Sequence, residues 1–170
     1  MIHKILRKQF SSNDCFVCGI KNDSGIKASF YEVEGNELIT TFKTKPCHQS
    51  YPGRTHGGVI AAMLDEAIGR SINITEPDTF GVTINLNISY RKPVPYDEDL
   101  KIVSRLTKNT SKWFEAEGEI INKDGEVLSN CKGVYAKMPK TEIVSGIAEE
   151  EIDKMMFKYL GENEPQEFDY

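Results

Sequence analysis

Hydrophobic and polar positions along this chain follow two different periods, which separate one helix from a series of strands. The segment that starts at His56 is apolar or small at most positions and opens with two glycines. Apolar residues on nearly every side predict a buried helix, here from about Gly57 to Ile72. A carboxylate in such a helix is unfavourable unless it is paired or used in chemistry. Asp65 and Glu66, in the middle of the segment, are therefore the first candidate functional residues.

The strand pattern occupies most of the remaining chain. Its clearest example runs from Val82 to Tyr90, where apolar residues alternate strictly with threonine, asparagine and serine. Shorter runs bounded by turn residues predict further strands at 26–33, 38–44, 100–106, 113–121 and 127–137. A single helix must then cover a long, mostly antiparallel sheet. The economical solution is an α+β fold in which the curved sheet wraps round one central helix.

The two ends of the chain differ from this central part and predict three regions. Residues 1–25 form an N-terminal arm whose apolar positions 2, 5, 6 and 10 have helical spacing, and residues 26–138 form the domain. Residues 139–170 carry an appended amphipathic helix that begins near Glu149 and ends before Gly161. Its apolar face is made by Ile152, Met155, Met156, Tyr159 and Leu160. The last nine residues are acidic and are expected to be frayed.

Composition limits the classes of function. The chain has 170 residues, of which 39% are hydrophobic, and a net charge of −5. These values suit one compact domain and argue against a nucleic-acid partner, since nucleic-acid-binding proteins usually display a basic face. The sequence shows neither an apolar run of membrane-spanning length nor a signal-peptide pattern. We therefore expect a cytoplasmic protein without a membrane partner.

The four cysteines are expected to be thiols rather than disulfides in that compartment. Cys15 and Cys18 have the spacing of half a zinc site or of a redox pair. Cys47 and His48 could complete a set of four ligands, but their spacing does not support this independently. The favoured interpretation is that the cysteines are buried as small apolar residues at a tight turn, and no metal site is predicted.

The two glycines at the start of the helix suggest a place where a ligand binds. The N–H groups of Gly57 and Gly58 have no partner within the helix and lie at the positive end of its dipole. Such groups suit an oxyanion, which forms when a carbonyl is attacked. The alternative is that the glycines only allow a tight turn into the helix. The glycines alone support both interpretations equally.

Helix geometry separates these glycines from the carboxylate. Asp65 follows Gly57 by eight residues, which is roughly 12 Å along the helix axis. A reacting carbonyl must lie about 3 Å from both the oxyanion donor and the attacking group. One helix therefore cannot supply both the oxyanion donor and the attacking group to the same carbonyl. An antiparallel copy of the helix from a second subunit can place its Gly57 opposite Asp65. The site, if present, requires at least a dimer.

A resemblance to a known family rests on this motif. Gly53, His56, Gly57, Gly58 and Asp65, followed by the strand at 81–90, resemble the hotdog-fold acyl-CoA thioesterases of the phenylacetate-pathway (PaaI-like) group. The resemblance covers about residues 15–138. It implies a hotdog fold that hydrolyses an acyl-CoA, or a related acyl thioester, to the free acid and thiol without a metal or redox cofactor. It also implies a homodimer, or a homotetramer formed as a dimer of dimers.

The resemblance assigns roles to individual residues. Asp65 corresponds to the general base or nucleophile, the partner subunit's Gly57 amide to the oxyanion donor, and Thr83 to a residue that helps place the water. The better-studied members commonly have an asparagine where this chain has Ser50, and Gln49 lies beside that position. This substitution favours a second hypothesis, a non-catalytic acyl-CoA-binding or regulatory hotdog protein. A hotdog dehydratase fits less well, because its paired histidine and acidic residue are not found at the helix start.

The residues expected to line the substrate site are less specific. Glu66 is expected to pair with Arg70 at i+4, and its alternative role is the active carboxylate. His56 is expected to shape the loop rather than to act as a base. The set predicted to contact substrate consists of His56, Gly58, Ser50, Gln49 and Glu66.

Overall fold

A computed structural model describes residues 2–155 and 164–170. The helices are α1 (Gly57–Gly69), α2 (Lys140–Ile143) and α3 (Glu149–Met155), and 3-10 turns lie at Pro46–His48 and Arg70–Ile74. The strands are β1 (Ile2–Lys8), β2 (Ser29–Val33), β3 (Glu37–Phe42), β4 (Thr79–Tyr90), β5 (Leu100–Asn109), β6 (Trp113–Ile121), β7 (Val127–Pro139) and β8 (Glu167–Asp169). No helix within these described ranges is long and apolar enough to cross a bilayer.

The described strands form one antiparallel sheet in the order β4-β7-β6-β5-β3-β2-β1-β8. Helix α1 packs against the half of this sheet that contains β4 to β7. The predicted architecture, a curved antiparallel sheet around one central helix, is therefore confirmed. The order leaves β4, the strand that follows α1, at one edge of the sheet.

One side of α1 forms the centre of the core. Its buried residues are Ile60, Met63, Leu64, Ala67 and Ile68. They pack with buried strand residues such as Leu38, Ile102, Phe114 and Ile120. The other side of the helix, which includes Gly58 and Asp65, is only partly covered within one chain. The prediction that α1 is buried all round therefore holds for one side only.

The ends of the chain differ from the prediction. The N-terminal arm is not helical: β1 pairs with β2 and β8. Residues near the C-terminus are paired rather than frayed, and Phe168 packs edge-on against Tyr31 with ring centroids 5.3 Å apart. Both differences arise because these segments pair with strands that are distant in sequence. Helix α3 begins at Glu149 as predicted, whereas Met156, Tyr159 and Leu160 lie outside the described residues.

Candidate active site

The amides of the two glycines at the start of α1 differ in their hydrogen bonds. His56 is the N-cap residue, and its Nδ1 accepts a hydrogen bond of 2.9 Å from the Gly58 amide. Within the described residues, the Gly57 amide has no acceptor. The hydroxyl of Tyr90 donates to the Gly57 carbonyl at 3.0 Å and fixes this turn from β4. Gly57 therefore presents the unused donor at the positive end of the helix.

Two hydroxyl groups hold the Asp65 carboxylate. Its Oδ1 accepts hydrogen bonds from the hydroxyls of Thr83, at 3.0 Å, and Tyr135, at 2.9 Å. Thr83 on β4 lies directly opposite Tyr135 on β7, and the register shifts immediately afterwards, between Thr83 and Asn85. A bulge of this kind changes the direction in which neighbouring side chains point. No described group donates to Oδ2, so one carboxylate oxygen remains available for chemistry.

Tyr135 is a site residue that the sequence analysis missed. Its ring is 1% exposed and stacks on Phe114 with centroids 5.0 Å apart. Gly69, Gly81 and Gly133 surround the ring, and a Cβ on any of them would lie within 3.1 Å of a ring atom. Glycines on three separate elements therefore make the space for this side chain.

The environment of Tyr135 keeps its hydroxyl protonated. Burial, and then the negative charge of Asp65, raise the pKa of this tyrosine well above its ordinary value. The hydroxyl is thus a permanent donor to the carboxylate at neutral pH. A permanent donor fixes the orientation of the Asp65 carboxylate.

Asp65, Thr83 and Tyr135 line a cavity of about 480 Å³. Part of its wall is apolar and comes from Phe10, Phe80 and Met155. The remaining wall contains polar and charged groups, among them Cys15, Cys18, Glu66 and Arg70. The candidate carboxylate therefore lies where an apolar chain and a polar head can both be accommodated.

The other predicted residues lie at the opposite end of α1. Ser50 and Gly57 line a second cavity of about 340 Å³, together with Tyr90, Arg91 and Lys92. The remaining predicted contacts, Gln49, His56 and Gly58, are exposed around the same loop. The predicted site residues thus form two groups, one toward each end of α1. They do not meet within one chain because the helix separates them.

Glu66 has the structural partner that the sequence predicts. Its carboxylate accepts a hydrogen bond of 2.7 Å from Nε of Arg70. Arg70 is buried, lies 4.3 Å from the Phe10 ring and 4.2 Å from the Phe30 ring, and donates to the Phe10 carbonyl. This pairing engages one oxygen of the second carboxylate of the helix.

The alternative zinc set is not assembled as the sequence suggested. Cys47 is exposed, and both ring nitrogens of His48 are engaged, Nδ1 by the Lys45 amide and Nε2 by the Ser24 carbonyl. Cys15 and Cys18 instead lie beside Glu66. A hydrogen bond from the Cys18 thiol lowers the pKa of Cys15 to about 6, although burial opposes this shift.

Comparisons with known proteins point to a thioesterase family. Residues 52–129 match the family model described as the thioesterase superfamily. An uncharacterized protein of Schizosaccharomyces pombe is 30% identical over 118 residues, which cover 67% of this chain and 67% of that protein. Acyl-coenzyme A thioesterase 13 of Mus musculus is 26% identical over 97 residues, covering 57% of this chain and 69% of the mouse protein.

Solved structures show the same fold. A thioesterase superfamily protein superposes with a TM-score of 0.67 and 24% identity, covering 72% of this chain and 63% of its own. The Escherichia coli PaaI protein, from the phenylacetic acid degradation operon, superposes with a TM-score of 0.61 and 14% identity, covering 69% and 86% of the two chains. The predicted hotdog fold and the predicted resemblance to PaaI are therefore confirmed.

Proposed function

Because the chain belongs to the thioesterase superfamily, we propose that it hydrolyses an acyl-CoA thioester to the free acid and CoA. The observation that carries this proposal is the Asp65 carboxylate, held by Thr83 and Tyr135 at the wall of a cavity with one oxygen available. A fixed carboxylate beside a partly apolar cavity suits attack on a carbonyl that carries an acyl chain.

In the proposed reaction, Asp65 activates a water molecule while its Oδ1 stays bound to the two hydroxyls. Oδ2 takes a proton from the water, and the oxygen of the water bonds to the thioester carbon. The negative charge that develops on the carbonyl oxygen is stabilised by the Gly57 amide of the partner subunit. The carbon–sulfur bond then breaks, and the proton held by Asp65 passes to the leaving thiolate. In the covalent variant of this scheme, Oδ2 attacks the thioester carbon directly, the CoA thiolate leaves, and water then hydrolyses the acyl-enzyme anhydride to release the acid and regenerate Asp65.

The edge strand supports the homodimer on which this scheme depends. Ile84 and Val82 on β4 are 63% and 40% exposed, and β4 has no neighbour on its outer side among the described strands. A long, apolar edge of this kind is a template for pairing with another strand. Two-fold pairing there would bring α1 of each chain toward its copy, with a dimer of such dimers as the larger assembly.

The second cavity is proposed to take the thiol part of the substrate. Ser50 and Gly57 line this cavity, and Gln49, His56 and Gly58 flank the loop beside it. Glu66 is the exception among the predicted contacts, because it lines the other cavity and is engaged by a buried arginine.

The test of the proposed activity replaces the carboxylate by its amide. A panel of acyl-CoA substrates is assayed with a thiol-trapping reagent for wild type and for Asp65→Asn. We expect turnover to fall at least about a hundredfold, since this is the lower range for general base catalysis. Asp124→Asn is the matched control, because Asp124 is exposed on the β6–β7 turn, and it should keep wild-type turnover.

Two results would contradict the proposal. Undiminished turnover in Asp65→Asn would exclude Asp65 as the active carboxylate. Tight binding of acyl-CoA by the wild type without any turnover would instead support the non-catalytic binding protein that Ser50 favours.

A further inference from the structure

Three side chains in the wall of the larger cavity form a cluster that hydrolysis does not use. The sulfur atoms of Cys15 and Cys18 and a carboxylate oxygen of Glu66 all lie within 4.8 Å of one another. Cys18 is buried, whereas the other two residues are partly exposed. Thiolates and carboxylates are the ligands, besides histidine, that zinc prefers in proteins.

The loop that carries both cysteines is held firmly by its backbone. The Gly19 amide donates to the Cys15 carbonyl at 2.8 Å, and a Cβ on Gly19 would lie 2.3 Å from that oxygen. The amides of Val17 and Cys18 point at the Cys15 sulfur, at 3.4 and 3.5 Å. Amide hydrogen bonds to the first cysteine stabilise a thiolate at this position. The two sulfurs are thus placed before any ligand binds.

Arg70 adds an outer contact to two members of the cluster. It donates to Glu66 at 2.7 Å and to the Cys18 sulfur at 3.2 Å. Ligands of metal ions are commonly oriented by such outer hydrogen bonds. Without a metal, the Cys18 thiol donates its proton to the Cys15 sulfur, so a bound divalent cation would displace this proton and take its place between the two sulfurs and the carboxylate.

We propose that Cys15, Cys18 and Glu66 bind one zinc-type divalent cation, with the fourth coordination position open to the cavity. In a tetrahedral zinc site the sulfur atoms lie about 3.8 Å apart, given zinc–sulfur bonds of about 2.3 Å. The three ligand atoms already lie within 4.8 Å of one another, a range that includes this separation. Water, or a small thiol in the cavity, would fill the open position. This proposal departs from the sequence-based expectation that no metal is bound.

The first test measures metal on the full chain. Reduced, metal-free protein is equilibrated with zinc sulfate, desalted and analysed by elemental mass spectrometry. We expect about one zinc per chain, as one tetrahedral site requires, and almost none in the double variant Cys15→Ser/Cys18→Ser. Cys47→Ser is the matched control, because Cys47 is exposed and outside the cluster, and it should retain the wild-type zinc content. Cobalt in place of zinc should give thiolate-to-cobalt charge-transfer absorption only when both cluster cysteines are present.

A second measurement on the wild type does not depend on whether the variant folds. Zinc should slow alkylation of Cys15 and Cys18 by iodoacetamide at least tenfold and leave Cys47 unchanged, as mapped by peptide mass spectrometry. Substoichiometric zinc on the wild type, equal alkylation with and without zinc, or unchanged zinc content in the double variant would each overturn the proposal. Formation of a Cys15–Cys18 disulfide by a chain that binds no zinc would identify a redox pair instead. These readouts measure metal rather than turnover, so they are independent of the proposed hydrolysis.

Discussion

The Asp65 side chain is fixed by two hydroxyl groups that come from neighbouring strands. Thr83 on β4 is exposed, whereas Tyr135 is buried and stacked on Phe114. The two donors therefore differ in how far they can move. A stacked ring that is enclosed by glycines keeps its hydroxyl in one place, so Tyr135 sets the orientation of the carboxylate.

Removing the Tyr135 hydroxyl should separate this positioning role from packing. Tyr135→Phe keeps the stacked ring and loses the donor to Asp65. We expect the free energy of unfolding to fall by about 2 kcal/mol, the range for a hydrogen bond to a charged group. We also expect kcat to fall more than KM changes, because the carboxylate is no longer aligned. Urea unfolding and steady-state thiol release measure the two effects.

Tyr31 provides the matched control for that prediction. Its hydroxyl also donates to a carboxylate, that of Glu164, at 2.6 Å, but it lies on β2 outside the cavity of Asp65. Tyr31→Phe should lower stability and leave kcat unchanged. If both tyrosine variants reduced kcat equally, Tyr135 would have no special role at the site.

The sequence indicated Asp65 and Thr83 but not Tyr135, for a physical reason. A carboxylate in an apolar helix stands out by its chemistry, whereas Thr83 was indicated only by the resemblance to the family. Tyr135 is one of several aromatic residues on predicted strands, and its importance depends on the β4–β7 register. That register includes a bulge at Thr83, which no periodicity in the sequence reveals.

The carboxylate of Glu76 joins the segment between α1 and β4 to three strands of the sheet. Glu76 accepts hydrogen bonds from Lys137 on β7 at 2.5 Å, from Asn109 on β5 at 3.1 Å and from Thr79 on β4 at 3.1 Å. The hydrogen bond from Lys137 is the main reason that the pKa of Glu76 lies below its ordinary value. Glu76 thus holds the segment that follows α1 against three strands of the sheet.

This lowered pKa predicts a pH-dependent contribution to stability. A carboxyl whose pKa is lower in the folded than in the unfolded chain stabilises the fold above its unfolded pKa, and that stabilisation is lost as pH falls through the folded pKa. Glu76→Gln should therefore cost about 0.5 to 1 kcal/mol at pH 7, after allowance for solvent screening. The cost should vanish at acid pH, below both pKa values. Denaturant unfolding at neutral and acid pH measures the difference.

Glu98→Gln is the control for the pH experiment, because Glu98 is exposed and no described residue pairs with it. This variant should leave the stability unchanged at either pH. A cost for Glu76→Gln that is the same at pH 7 and at acid pH would show that the charge of Glu76 contributes nothing.

Elements with strong local patterns were predicted well, and elements defined by distant partners were not. Helix α1 and the strand β4 follow from apolar periodicity alone. The spacing in β1 imitates a helix, yet its backbone is paired with β2 and β8. Three residues near the C-terminus form β8 only because β1 offers a free edge. The mouth of the cavity near Met155 likewise depends on where α3 packs, which sequence spacing does not specify.

The assembly determines whether the two halves of the candidate site meet. Within one chain, Gly57 and Asp65 line separate cavities at the two ends of α1. A second copy of the chain would cover both the exposed apolar edge of β4 and the partly covered side of α1. A site shared between subunits is therefore expected to show complementation between two inactive variants.

Gly57→Pro removes the proposed oxyanion donor with little change to the helix. Gly57 is the first helical residue, where proline is tolerated, and His56 before it has the extended backbone (φ −63, ψ 138) that a following proline requires. We expect this variant and Asp65→Asn each to be inactive as a homodimer. Gly57→Ala is the control and should remain active, because it keeps the N–H and its Cβ would meet Tyr90 at an ordinary 3.6 Å.

Mixing the two inactive variants then tests the shared site. A mixed dimer contains one site in which the intact Asp65 of one chain faces the intact Gly57 of the other. Equimolar subunit exchange should thus restore about a quarter of the wild-type activity, since half of the dimers are mixed and each has one functional site. A site built within a single chain would always contain one of the two substitutions, so a mixture that stays inactive despite verified exchange would contradict the shared arrangement.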